Sequence, residues 1–533
     1  MRMPPSPAGT RAGSHSEVMV THSRFKALLI YLMWFATGAS AHILSVEGPV
    51  PTGPGNAIFG AANVPHARLS IPLTPFGYVE EEYFVRGMAA AYRHTAAGPE
   101  RLNPDIPYTT RIIVRRPADS RRFSGVVHFE PIHPTGGSTF HWLMLGRYLM
   151  SQGDIYVAAG LGDADSGWSG SPHYPNQAAP VGQGKVTKWF EPERYSPLQW
   201  PQEDGIRYAV MSEIGQKLRS PDADNPLRGL KVRAMLVGGW SFTGSLQRVF
   251  INEGFHERAR LPDGRPVFDG YLIGVSSPWN KPGYIPLFND EPFVPVGDAR
   301  RILKQTDAKV IVFLSELEPL DQNGPASFPP DRDGPLGGYR LYELGGVIHL
   351  SSLFDAAVSY HREEPNLTQL IQHGYPPGEL PFELPLDTCP EPQSDVPQGA
   401  FARAAVDNLR HWVLDGQAPP REKPLSWENG KLARDTVGNV LGGIRAAEFV
   451  VPIARYGVYR GAQENRCAGS PGFPFYVRDR LSREELIHRY GTPGQYIVRY
   501  EHAIDRLVAQ RWLLPDDAMR LKAKARDSVA GGF

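Results

Sequence analysis

The chain has 533 residues, with 56 Lys+Arg against 56 Asp+Glu and a formal net charge of zero; a nucleic-acid or membrane-surface binder carries a basic excess or a one-sided charge block instead. Apolar residues are 41% and charged residues 21%, which excludes a disordered composition. Two cysteines exclude a disulfide-stapled scaffold and an all-thiolate zinc site, while 55 glycines and 51 prolines, well above average usage, point to long loops.

Arg24 and Lys26 precede an apolar run over 27–35, which decays into Ala39-Ser40-Ala41. This basic, apolar, small-residue order is that of a secretory signal peptide over 1–41, cleaved after Ala41. The run is short for a span of about 20 apolar residues; an uncleaved anchor is the alternative. Either way the body is expected to be secreted or periplasmic. In that oxidising setting Cys389 and Cys467 are expected to form one disulfide, with two buried thiols as the alternative.

The length exceeds what one core usually supports. Residues 42–109 read as an N-terminal extension with the first strands, 110–355 as the core, and 356–533 as a helical cap or buttress. Short apolar runs predict strands over 111–115, 125–130, 155–160, 232–238, 271–275, 309–314 and 339–344. Most are near-continuously apolar, as in strands covered on both faces. Helices are predicted over 140–150, 203–218 and 244–253, the last ending before Gly254. Further helices are predicted near 401–414, 495–512 and 515–525, the last two with start signals at Thr492-Pro493-Gly494 and Pro515-Asp516-Asp517. The alternation predicts a mostly parallel, doubly wound α/β sheet. Gly/Pro-rich insertions at 163–202 and 278–296 are expected beside the C-terminal strand ends, where such folds bind ligands.

The strand over 232–238 runs into Gly239-Trp240-Ser241-Phe242-Thr243-Gly244 and then a helix. A tight turn with a central serine between strand and helix is the context of a nucleophile elbow, although the commoner pattern is G-x-S-x-G. The helix N-terminus behind it offers N–H groups to a developing oxyanion. The strand over 309–314 leads to Ser315-Glu316-Leu317-Glu318, which supplies a candidate acid, Glu318 or alternatively Glu316. The strand over 339–344 leads to His349. The loop after 125–130 holds Gly136 and Gly137, where backbone approaches a substrate closely. A rival metal reading rests on His128-x-Glu130-x-x-His133 with Asp163 and Asp165. Its spacing fits no common ligand pattern, so no metal is expected. Trp240, Phe242, Phe140, Trp142 and Trp168 on or near these loops suggest an apolar pocket.

Ser, acid and His in this chain order, each after a separate strand, is the α/β-hydrolase arrangement. From about 110 to 520 the chain resembles the large secreted or periplasmic α/β-hydrolase-domain proteins of bacteria, a serine-esterase-like branch. The segment 125–137, with a Glu before paired glycines, is similar to the family's strand-to-oxyanion segment. Ser241-Phe-Thr-Gly244, on to Gly254-Phe255 and Val267-Phe268-Asp269-Gly270, resembles its nucleophile helix and next strand, where the Gly also follows the Ser by three. Ser315-Glu-Leu-Glu318 is similar to its Ser/Thr-Glu-x-Asp, with Glu318 in place of Asp. Tyr342-Glu343-Leu-Gly-Gly-Val-Ile-His349 resembles the histidine segment, and Arg489-Tyr490-Gly491 through Leu513-Leu514-Pro515-Asp516-Asp517 the helical tail. The resemblance implies hydrolysis of an ester-like bond.

The expected enzyme is a cofactor-free serine hydrolase for a small ester-like substrate. Ser241 is its nucleophile, His349 its base and Glu318 its orienting acid, with Phe242 N–H and an N–H near Gly136–Gly137 as the oxyanion hole. No nucleic-acid partner is expected, nor membrane contact after signal cleavage; the oligomeric state is open. The rivals are an acyltransferase using the same serine and a non-catalytic binding protein on the same fold.

Overall fold

The computed structural model describes residues 42–533 apart from 54, 63–70, 134–138, 163–186, 189–190, 202, 277–286, 289–290, 293, 296–297, 322–327, 348, 350–393 and 459–476. The predicted signal, Cys389 and Cys467, Gly136 and Gly137, Asp163, Asp165 and Trp168 lie outside the described residues.

Ten strands form the main sheet. They are β1 (His42–Glu47), β2 (Tyr78–Ala89), β3 (Ile106–Pro117), β4 (Val126–Pro131), β5 (Ile155–Ala159), β6 (Ala234–Trp240), β7 (Gly270–Gly274), β8 (Lys309–Leu314), β9 (Arg332–Asp333) and β10 (Gly338–Glu343). The order across the sheet is β1-β2-β3-β5-β4-β6-β7-β8-β10-β9. The centre, from β5 to β10, is parallel; β1 to β3 and β9 join antiparallel. All seven predicted strands are present, shifted by a few residues at most except 111–115, the middle of the twelve-residue β3.

The sheet is covered on both faces, and side chains alternate between them as the two-residue strand period requires. From β6, Ala234, Leu236 and Trp240 enter one core, while Met235 and Val237 enter the other. The first face carries α1 (Phe140–Gln152) and the second α2 (Arg207–Leu218) and α3 (Phe242–Asn252). α1 ends at Gly153 with φ 74°, and Gly254 after α3 has φ 77°.

α4 (Gln398–Asp415) packs on the α1 face, joined there by α5 (Arg483–Tyr490), α6 (Pro493–Ala509) and α7 (Pro515–Ser528). The C-terminal region therefore supplies one covering layer of the sheet. It also holds two short antiparallel pairs, Trp427–Glu428 with Lys431–Leu432 and Ala454–Val458 with Val477–Arg480, in a stretch whose strand signal is weak in sequence. Thr492 caps α6 as expected, its hydroxyl accepting from Gln495 N. The pair Asp516-Asp517 works differently. The N-cap of α7 is Leu514, and Asp517 turns inward to meet Arg403 of α4. Among the described residues no helix is long and apolar enough to cross a membrane.

β2 escapes the apolar-run reading because its central charges are paired in or near the interior. Glu82 is fully buried and bonds both Arg111 (2.7 Å) and Arg194 (2.7 Å). Glu80 pairs with Arg115 (2.6 Å), whose guanidinium lies 4.4 Å from the Trp142 ring centroid. A buried charge is tolerable only when paired and hydrogen-bonded.

The same rule makes the α4–α7 contact testable. Arg403 bonds both Asp517 oxygens and donates to Met144 O in α1. Asp517→Ala strands a buried guanidinium without this carboxylate, so urea unfolding is expected to lose about 3–5 kcal/mol. An Arg403→Met/Asp517→Leu double variant is expected to recover most of it.

Candidate active site

Register brings three loops to one edge. Trp240 at the end of β6 faces Gly274 of β7, Gly274 faces Phe313 of β8, and Leu314 faces Glu343 of β10. Ser241, Ser315 and Leu344 are the next residues, so the segments carrying the candidate nucleophile, acid and histidine leave the C-terminal edge side by side. β4 pairs with β6 on its other side, so its C-terminal end lies beside that of β6.

Ser241 is the N-cap of α3, with φ 55° and ψ −117°. A non-glycine residue there is strained, at a cost of about 1–3 kcal/mol. Hydrogen bonds hold it: Ser241 N donates to Gly274 O (3.0 Å), and Ser245 N donates to Ser241 O (2.9 Å). The turn leaves no room for side chains at two neighbours. A Cβ on Gly239 would lie 3.0 Å from the Thr243 backbone, and one on Gly244 2.5 Å from Gly274 O. Glycine is thus needed two before and three after the serine, while position 243 takes a threonine. The Thr243 hydroxyl accepts from Trp240 N (2.9 Å) and donates to Trp240 O (3.0 Å), closing the turn from inside.

His349 and Glu318 meet in the interior: Nδ1 lies 2.9 Å from Oε1, with exposures of 4% and 0%. The other Glu318 oxygen accepts from Ser315 N (2.7 Å) and from Ser315 Oγ (2.7 Å). Ser315 Oγ in turn accepts from His349 N (2.8 Å) and Leu317 N (3.1 Å). His349 has φ 61°, and its carbonyl accepts from Gln398 Nε2 (2.9 Å) at the start of α4. Glu316 points elsewhere, accepting from Gly346 N (2.5 Å) and pairing with Arg434 (3.0 Å). Ser315 and Gln398 are the residues that sequence reasoning missed. Ser315 lay inside the recognised motif, but Gln398 gave no local signal.

The three described residues of the rival metal pattern, His128, Glu130 and His133, have different surroundings. His128 bonds Asp154 (3.0 Å) and lies 3.4 Å from His141 Nε2. Glu130 caps α1, accepting from His141 N (2.8 Å), Trp142 N (3.0 Å) and Tyr156 OH (2.6 Å). Burial pushes its carboxyl up to about 7, against the pull of these donors. His133 alone of the three stays at the site edge, its ring 5.1 Å from Phe140 and 6.1 Å from Phe242, centroid to centroid. The expected apolar pocket is corrected in part: Trp240 and Trp142 are core residues, 0% and 2% exposed, because the strand and helix periods turn them inward.

Burial, and after it the neighbouring His349, depresses the His133 imidazole from about 6.5 to about 3. The unfolded chain therefore takes up this proton first, so stability from a neutral His133 is full above pH 6.5 and is lost as pH falls toward 3. His133→Phe removes that dependence. Between pH 6.5 and 4.5 the stability difference between the two proteins is expected to move in favour of the variant, by about 2–3 kcal/mol, read by urea unfolding at each pH.

A doubly wound sheet with a strained serine between strand and helix, and a buried His–Glu pair from segments two and three strands away, defines the α/β-hydrolase class. The sequence matches the alpha/beta hydrolase domain family over residues 46–523, and the chain belongs to that family. No curated protein matches it in sequence. Among solved structures it is similar to an esterase of Pyrobaculum calidifontis, at 14% identity and TM-score 0.26, over 54% of this chain and 83% of that one. A thermostable esterase of Pseudomonas putida ECU1011 is similar at 12% identity and TM-score 0.26, over 58% and 84%. A prolyl endopeptidase is similar at 9% identity and TM-score 0.24, over 51% of this chain and 36% of that one. The family assignment rests on the sequence match.

Proposed function

We propose that this hydrolase is a secreted or periplasmic serine enzyme that cleaves carboxylic esters through an acyl-enzyme. The observation that carries the reading is the strained Ser241 turn: φ 55° at a serine between a parallel strand and a helix N-terminus. Such strain persists where the surroundings over-determine it, and it marks functional positions.

The contacts support the following roles. Glu318 holds His349 through Nδ1, which leaves Nε2 as the nitrogen that serves the nucleophile. His349 takes the Ser241 proton as Ser241 Oγ attacks the acyl carbon, and later returns it to the leaving alkoxide. Glu318 fixes the tautomer and stabilises the imidazolium that forms. Phe242 N–H, at the start of α3, is one oxyanion donor, and an N–H of the loop around Gly136–Gly137 is the second. Glu316 is assigned a structural role, because its carboxylate serves Gly346 and Arg434. The small-residue site after the N-terminal apolar run supports export, and an oxidising compartment supports a Cys389–Cys467 disulfide.

Wild type is expected to label with a fluorophosphonate probe and to turn over aryl esters. Ser241→Ala is expected to lose labelling and at least about 10³-fold in kcat. An unlabelled wild type, or an active Ser241→Ala variant, would defeat the reading. Glu318→Gln is expected to lose about 10³- to 10⁴-fold in kcat. Glu316→Gln is expected to lose stability while kcat changes a few-fold; the reverse order would reassign the acid.

A further inference from the structure

We propose that His133 is a further catalytic residue, whose side-chain N–H donates a hydrogen bond to the substrate carbonyl oxygen as it becomes an oxyanion, beside Phe242 N–H. The proposal rests on the serine-hydrolase reading above.

Placement comes first. His133 lies two residues past β4, and β4 is hydrogen-bonded to β6, the strand that ends at Ser241. Its loop leads into α1 and is the one expected to complete the oxyanion hole. Packing comes second. The ring is buried and meets Phe242 edge-to-face (interplanar angle 76°) and Phe140 likewise (75°). Phe242 is the residue whose N–H follows the nucleophile, so the imidazole packs on the side chain of the residue that offers the first oxyanion donor. Such T-shaped contacts add about 0.5–1.5 kcal/mol each beyond area burial.

Charge comes third. His349 acts electrostatically on His133. Arg207 of α2 also reaches this cluster, 5.5 Å from the Phe242 ring centroid, and is paired with Asp204 (2.6 Å). Burial, and after it the neighbouring His349, keeps His133 neutral down to about pH 3. A neutral imidazole always carries one N–H, and this one does not compete with His349 for the serine proton. Enzymes use a neutral imidazole as an electrophile in this way, to polarise a carbonyl.

The step balances without a proton from His133. The Ser241 Oγ–carbon bond forms while the serine proton passes to His349 and the carbonyl π pair moves onto oxygen. His133 and Phe242 hold that oxygen by hydrogen bonds. On collapse the pair returns, the bond to the leaving oxygen breaks, and that oxygen takes the proton from His349.

The test compares His133→Phe, which keeps a ring and removes the donor, with His133→Gln, which keeps a donor, on p-nitrophenyl acetate. His133→Phe is expected to lose on the order of 10²- to 10³-fold in kcat with KM within about twofold, and His133→Gln to recover at least tenfold of that. A Phe variant with near-wild-type kcat, or equal losses in both, would overturn the proposal. A measurement on wild type covers a variant that does not fold. Its His133 imidazole proton, followed by NMR, is expected to move downfield when a trifluoromethyl ketone forms its tetrahedral serine adduct; an unmoved signal would overturn the proposal. Failure of the serine reading shows separately, as a wild type that neither labels with fluorophosphonate nor forms the adduct.

Discussion

A carboxylate with no exposed surface must receive hydrogen bonds from the protein, because water cannot supply them. Glu318 meets this demand with Ser315 N, Ser315 Oγ and His349 Nδ1. Those three donors tie the end of β8 to the segment after β10. Ser315 Oγ is also the acceptor for His349 N, so one hydroxyl sets both partners of the pair. The His349 backbone is then braced by Gln398 from α4. The C-terminal region thus contributes to the geometry of the histidine as well as to the covering of the sheet.

Charge burial organises the periphery in the same manner. Glu82 joins β2 to β3 through Arg111, and to the segment ahead of α2 through Arg194. Arg403 joins α4 to α7 and α1. Asp154, at the start of β5, takes His128 of β4 and Arg410 of α4. A buried pair of this kind adds little net stability over an apolar replacement, but breaking one partner is costly. Such pairs act as register pins: each holds two elements in one relation and penalises others.

The parallel strands were legible because most are short, near-continuous apolar runs, as strands covered on both faces tend to be. β2 was not, because Glu80, Glu81 and Glu82 read as a solvated stretch until Arg115, Arg116 and Arg111 are placed beside them. α5 was missed because few apolar residues mark it; a capping box between Ser482 and Glu485 forms its start. At the site, Ser241 was legible from its strand, glycines and helix. Sequence left two acids open, as Glu316 and Glu318 sit two apart at a strand end. Their contacts differ: a helical turn over Leu317–Asp321 brings Glu318 to Ser315 and His349, while Glu316 accepts from Gly346 N and pairs with Arg434. No local pattern encodes that turn's direction.

Strain is distributed unevenly over the fold. Among the described residues the non-glycine positions with positive φ are Ser241, Val275, His349, Asn429 and Arg511. Three of the five lie at the C-terminal edge of the parallel strands, and Val275 at φ 36° is a β-branched residue in a conformation that its Cβ opposes. Each of the three is held by a hydrogen bond from its own N–H: Ser241 to Gly274 O, Val275 to Phe313 O (2.7 Å) and His349 to Ser315 Oγ. The acceptors belong to the adjoining strands or to the residue just past one. The rigid part of the sheet therefore supports the strained part, and a single strained residue cannot relax without breaking a bond to its neighbour. Folds keep such strain where position matters more than stability, and here it falls on Ser241 and His349, the proposed nucleophile and base, and on the residue after one of the strands between them.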